Sequence, residues 1–321
     1  MKENNNLGLT TSFKGLLILA CLIILNNSTA FSQWKKCGGK YGNLSVKEIR
    51  EVENKLFAST NEGIIISNYG IDWDEIIEFP FPINELYEYD NIIFGVFGYN
   101  ALNVVFSKDL GNSWEQLNTD TLENYTKNIY SLLYDQGSIL LATGKGIFKT
   151  DNWGKNWNLL TTKIIGNETI HSDLFKVGNK YFAKDRNKNI YYSNDFGKNW
   201  NFSKIENINS RHIYTYNNNL FGVKDDKFIY KLNVNFKWEL FLDKEFGFVS
   251  VVKPLCCKGV FISSDKNRIV FNKNNVIELP KIPIPKKYDL LQDVIITDKY
   301  IIISVIDYGV WYIPYFFNVK F

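Results

Sequence analysis

The chain has 321 residues, a formal net charge of +3 and scattered lysines, a balance too weak and too dispersed for a nucleic-acid footprint. Only two histidines occur, His171 and His212, with no Cys-x-x-Cys pair, no phosphate-binding Gly loop and no Gly-x-Ser-x-Gly elbow, so neither a metal nor a cofactor is expected. Aromatic residues reach 16%, including 8 Trp, which suits many short strands pinned by large rings.

In chain order, the first element reads as a secretory signal. Lys2 and Lys14 precede an apolar run from Leu16 to Leu25, and small residues surround Ala30 and Ser32. The run is short for a membrane span, and Leu22–Leu25 continue it past Cys21, which argues against a lipid anchor. Residues 1–32 are therefore expected to be removed. The remaining chain, 33–321, is expected to be one exported domain, secreted, periplasmic or at the cell surface. It should be a monomer with no transmembrane segment. Its cysteines, Cys37, Cys256 and Cys257, are odd in number. Free buried thiols are the favoured reading over a strained bond between the neighbours Cys256 and Cys257.

Strand signals then recur with a fixed rhythm. Each unit shows an apolar run, a short polar or Gly-bearing turn and another apolar run, as in Ile129–Tyr134, Ile139–Thr143, Ile147–Lys149 and Trp157–Leu160. The third run begins at Ile64, Val104, Ile147, Ile190, Ile229, Ile269 and Val310, 39 to 43 residues apart. Seven units of that period predict an all-β chain, a single seven-bladed β-propeller of four-stranded antiparallel blades. Trp34-Lys-Lys-Cys37 matches the outermost strand of a blade. It is expected to pair with the strand around Gly309–Ile313 and close the ring.

Between the third and fourth strands lies a repeated phrase, Ser-x-Asp-x-Gly-x-x-Trp. Full copies are Ser107, Asp109, Gly111 and Trp114; Thr150, Asn152, Gly154 and Trp157; and Ser193, Asp195, Gly197 and Trp200. Ser67, Gly70 and Trp73 form a copy one residue short, and Trp238 ends a worn one. The hydroxyl and carboxylate can bond turn amides, Gly can take a positive φ, and Trp can cover the hairpin. The phrase resembles the Asp-box, or BNR repeat, of sialidases, sortilin-type receptors, xyloglucan-degrading glycosidases and the photosystem II assembly-factor family. That resemblance implies a structural role for these residues and a ligand site on the opposite face. It also raises a sialidase-type glycoside hydrolase or lectin as the alternative function. Sialidases need three arginines and usually carry an Arg-Ile-Pro phrase. This chain has four arginines in all and no such phrase, so its residues lean away from catalysis.

The ligand face is expected to be built from turns between second and third strands. Three of these are charged and carry Arg186 and Lys188, Lys227, and Arg268. Arg211 lies in a bordering link, and Tyr214 and Tyr308 offer ring faces. A solvated surface is the bland reading. The sharper one is a basic-leaning patch for an acidic glycan or a partner protein, with the chain acting as a non-catalytic binding or assembly module.

Overall fold

The computed structural model describes residues 33–97, 103–122, 128–161, 173–185, 189–203, 213–216, 219–224, 228–233, 237–242, 260–263, 268–271, 275–278, 280, 291–297, 299–305 and 307–314. A two-residue strand, β1 (Lys35–Lys36), comes first. Sheet one follows as β2 (Val46–Val52), β3 (Lys55–Thr60), β4 (Gly63–Ser67) and β5 (Glu75–Glu78). Sheet two is β6 (Ile83–Tyr89), β7 (Ile92–Phe97), β8 (Asn103–Ser107) and β9 (Glu115–Gln116). Sheet three is β10 (Ile129–Asp135), β11 (Ser138–Thr143), β12 (Gly146–Thr150) and β13 (Asn158–Thr161). Sheet four is β14 (Leu174–Val177), β15 (Lys180–Lys184), β16 (Ile190–Ser193) and β17 (Asn201–Ser203). Sheet five is β18 (Ile213–Tyr216), β19 (Asn219–Lys224), β20 (Phe228–Leu232) and β21 (Trp238–Leu242). Sheet six has three described strands, β22 (Val260–Ser263), β23 (Arg268–Phe271) and β24 (Asn275–Glu278). Sheet seven is β25 (Leu291–Ile296), β26 (Tyr300–Val305) and β27 (Gly309–Pro314), with β1 as its fourth strand.

Six sheets, not the expected seven, are four-stranded among the described residues. Residues 243–259, just before sheet six, lie outside the described residues. The expected pairing of the N-terminal strand is present, with Lys35 opposite Tyr312 and Lys36 opposite Trp311. Cys37 N–H extends it to Val310 O at 2.8 Å. The expected signal, residues 1–32, and the pair Cys256 and Cys257 lie outside the described residues, whereas Cys37 is a free, buried thiol.

The core consists of the seams between successive sheets. Phe57, Ile64 and Ile66 of sheet one pack with Ile83, Leu86 and Ile93 of sheet two. Phe94, Val104 and Phe106 of sheet two meet Leu132, Leu141 and Phe148 of sheet three. Leu140 and Ile147 of sheet three meet Leu174 and Tyr181 of sheet four, and Phe182 and Ile190 of sheet four meet Ile213 and Leu220 of sheet five. Leu56, Ala58 and Ile65 turn the other way, onto Val294, Ile302 and Val310 of sheet seven. Successive side chains of a middle strand thus serve opposite neighbours. That is why every residue after the first is buried in β3, β7 and β11, including the polar Ser59, Thr60 and Thr143.

Candidate functional site

An antiparallel meander puts its first and third turns at one end and its second turn, with the link to the next sheet, at the other. The repeated phrase occupies the first of these ends. In each full copy the hydroxyl accepts the Gly N–H: Ser107 from Gly111 at 2.8 Å, Thr150 from Gly154 at 3.0 Å and Ser193 from Gly197 at 2.9 Å. The acid or amide accepts the next turn amide, as Asp109 does from Ser113 at 2.9 Å and Asp195 from Asn199 at 2.9 Å. These bonds, the Ser113 side chain foremost, hold the Asp109 carboxyl down at about 2. Gly111, Gly154 and Gly197 have φ of 84°, 82° and 79°, and Leu110, Trp153 and Phe196 before them are left-handed too.

The tryptophans do more than cover their own hairpins. Trp73 lies in the seam between sheets seven and one, Trp114 between one and two, and Trp157 between two and three. Trp200 lies between three and four and Trp238 between four and five, so each ring fastens its sheet to the one before. The short first copy also uses its Gly carbonyl differently. Trp114 and Trp200 donate Nε1–H to their own Gly O at 3.2 and 2.8 Å, but Gly70 O instead accepts Cys37 S–H at 3.1 Å. Burial pushes that thiol up to about 12.

The opposite end carries a polar cluster at the start of the innermost strands. The pairs Ile49 with Ala58, Leu86 with Gly95, Leu132 with Leu141, Leu174 with Ala183 and Val294 with Ile303 share one register. The residue just before each is polar: Glu48, Glu85, Ser131, Asp173 and Asp293. Three of them reach the next sheet's backbone. Asp293 accepts Ile49 N–H at 2.7 Å, Glu48 accepts Leu86 N–H at 2.6 Å and Ser131 accepts Leu174 N–H at 3.0 Å. Arg50 bridges Glu48 at 3.1 Å and Asp293 at 3.6 Å, and Lys184 pairs with Asp173 at 2.7 Å.

Glu85 departs from this pattern. It accepts the Tyr87 hydroxyl, while Tyr89 donates its own hydroxyl to Leu132 O at 3.1 Å. Burial first, then the neighbouring Glu48 and Asp173, raise the Glu85 carboxyl to about 7 against the pull of Tyr87 and Arg50. The result is a preset platform of one guanidinium, one ammonium, four carboxylates and a tyrosine pair. Its charges lean acidic, and its members are paired with one another or with backbone amides.

Of the expected ligand-face residues, Tyr308 lies in the second turn of sheet seven, at this same end, half-buried against the seam of sheets seven and one. Arg268 opens β23 and Tyr214 lies on β18. Arg186, Lys188, Lys227 and Arg211 lie outside the described residues. The described wall is acidic where the turns suggested a basic excess. The sequence reading missed Glu48, Arg50, Glu85, Tyr87, Asp173 and Asp293, whose common signal is a nine-residue offset between paired strands. Among the described residues no group of three or more His, Cys, Asp or Glu could hold a metal ion, and no helix is long and apolar enough to cross a membrane.

No protein-family model matches the chain, and no curated protein matches it in sequence. Solved structures do. PorZ of Porphyromonas gingivalis, described as an essential bacterial surface component of the type-IX secretion system, superposes with a TM-score of 0.62 at 12% identity. That match covers 90% of this chain, which spans only 40% of PorZ. YCF48 bound to D1 peptide matches with a TM-score of 0.62 at 14% identity, over 91% of this chain and 98% of its own. An inactive virginiamycin B lyase from Staphylococcus aureus, holding quinupristin, matches with a TM-score of 0.64 at 15% identity, over 88% and 99%. The chain is a β-propeller. At these identities the likeness concerns the fold alone, and the site of this propeller has to be read from its own residues.

Proposed function

We propose that the chain is an exported, non-catalytic propeller that holds a segment of a partner protein at the end where the innermost strands begin. The observation that carries this reading is the convergence there of Arg50, Lys184, Glu48, Glu85, Asp173, Asp293 and Tyr87. Three carboxylates and the proton-sharing Glu85 against two cations disfavour an acidic glycan and suit a peptide that brings its own donors. The YCF48 complex supports the reading by analogy, since that propeller is bound to a peptide. In the proposed molecule the three-stranded sheet six is a seventh blade, β1 closes the ring, and the phrase-bearing hairpins are Asp-boxes on the far face. Arg186, Lys188, Arg211, Lys227 and Arg268 then form an outer cationic rim.

The test is an array of peptides from exported proteins, probed with the chain and with its Glu85→Gln and Arg186→Ala forms, beside a glycan array and a fluorogenic sialoside. Peptide binding weakened by Glu85→Gln supports the proposal. Sialoside turnover, or glycan binding with silence on the peptide array, overturns it in favour of the glycosidase or lectin alternative.

A further inference from the structure

At the other end of the molecule, the phrase turn of sheet one and the β25–β26 turn of sheet seven enclose a groove of about 420 Å³. Its lining includes Tyr69, Asp72, Asp74, Glu75, Lys299 and Tyr300. Tyr69 is 66% exposed, the most exposed large hydrophobic side chain among the described residues. The residue before the phrase glycine behaves differently in the second and third copies. Leu110 packs into the seam of sheets one and two, and the Trp153 ring lies 4.6 Å from that of Phe106. The first copy is one residue short, and its Tyr69 has no left-handed φ of the kind seen at Leu110 and Trp153. This ring stands at the groove rather than in a seam, and it is more exposed than Phe196, the residue at the same place in the full fourth copy, which is 52% exposed.

The charges fit the same picture. Asp109 and Asp195 of the full copies are spent on their own hairpins, but Asp72, Asp74 and Glu75 are not. Asp74 accepts Lys40 N–H at 2.8 Å, which fixes its carboxylate. None of the three is in an ion pair among the described residues. The groove's own cation, the Lys299 ammonium, instead stands 5.5 Å over the Tyr69 ring. The ring face thus already accepts a cation, with three uncompensated carboxylates beside it.

We propose that this groove is a second binding site, for an arginine-bearing segment of a partner protein. A guanidinium is planar, so it can stack on Tyr69 and pair edge-on with Asp72 or Glu75 at once, which a compact ammonium cannot do. The volume admits one such side chain and part of its neighbour. The site is separate from the platform at the innermost strands and does not depend on that reading.

The experiment is fluorescence anisotropy of a labelled tetra-arginine peptide with the chain and its variants. Asp72→Asn with Glu75→Gln should weaken binding about tenfold or more, and Tyr69→Ala about fivefold. Lys299→Gln should tighten it, and Glu115→Gln, an exposed acid of sheet two outside the groove lining, should leave it unchanged. All five positions are at the surface, and matching melting curves confirm folding. Equal losses from Glu115→Gln and the double variant would show general electrostatics and overturn the site. So would absence of binding, or displacement of the peptide by neutral maltotetraose.

Discussion

At Gly70 the short phrase copy leaves no room for a side chain. Its φ is 77°, and a Cβ there would sit 2.0 Å from Ile302 Cδ1 and 2.5 Å from Leu56 Cδ1. Gly137 has the same hand, with φ of 82°, but nothing lies within 4 Å of its would-be Cβ. Gly137→Ala should therefore cost only the backbone strain, about 1 kcal/mol, and Gly70→Ala at least twice that, measured by urea unfolding. Glu85 gives a second residue-scale prediction. Its carboxyl is raised from an ordinary 4.5 to about 7, so the folded state holds a proton that the unfolded chain releases. The stabilisation is complete below pH 4.5 and is lost as pH rises through 7. Glu85→Gln should flatten the fall in stability over that window. An unchanged pH profile would show that the cluster does not bury this carboxyl.

At the scale of elements, the sheets are joined by two sets of fasteners placed at opposite corners. Each phrase Trp reaches back into the preceding seam, and Asp293, Glu48 and Ser131 reach forward to the next sheet's backbone. Ser131→Ala leaves the buried Leu174 N–H without its acceptor, at a cost of about 1–3 kcal/mol. Faster amide exchange at Leu174 than at Tyr181 should accompany it. The Trp set was legible in the sequence because its partners sit within one hairpin, at fixed spacing, so Ser107, Gly111 and Trp114 announce one another. The acceptor set was not. Glu48, Glu85 and Asp293 align only once each strand is paired with the next, and links of unequal length separate them along the chain. The platform was missed for the same reason: its members lie far apart in sequence and share no local phrase. The charged second turns were visible as composition, but composition does not show which charges face inward.

For the whole molecule, the N-terminal segment matters out of proportion to its length. Cys37 N–H bonds Val310 O in sheet seven, while Gly38 N–H bonds Ile71 O and Tyr41 N–H bonds Trp73 O in sheet one, all at 2.8 Å. Trp34 donates Nε1–H to Pro280 O at 2.7 Å and is buried in the same seam. Gly39, with φ of 81°, brings its Cα so close to Trp73 that a Cβ would lie 2.4 Å from the Trp73 nitrogen. One strand thus completes sheet seven and ties it to sheet one. Stacked sheets that touch only their neighbours have additive, nearest-neighbour stability, so an open end should unravel from the edge. A chain lacking residues 33–42 exposes the edge of β27 and should unfold in more than one step, with sheets one and seven losing amide protection first. Gly39→Val should act in the same direction through the clash with Trp73 alone. If both variants unfold in one sharp transition at the native midpoint, the strand is an accessory, and the seams alone hold the molecule together.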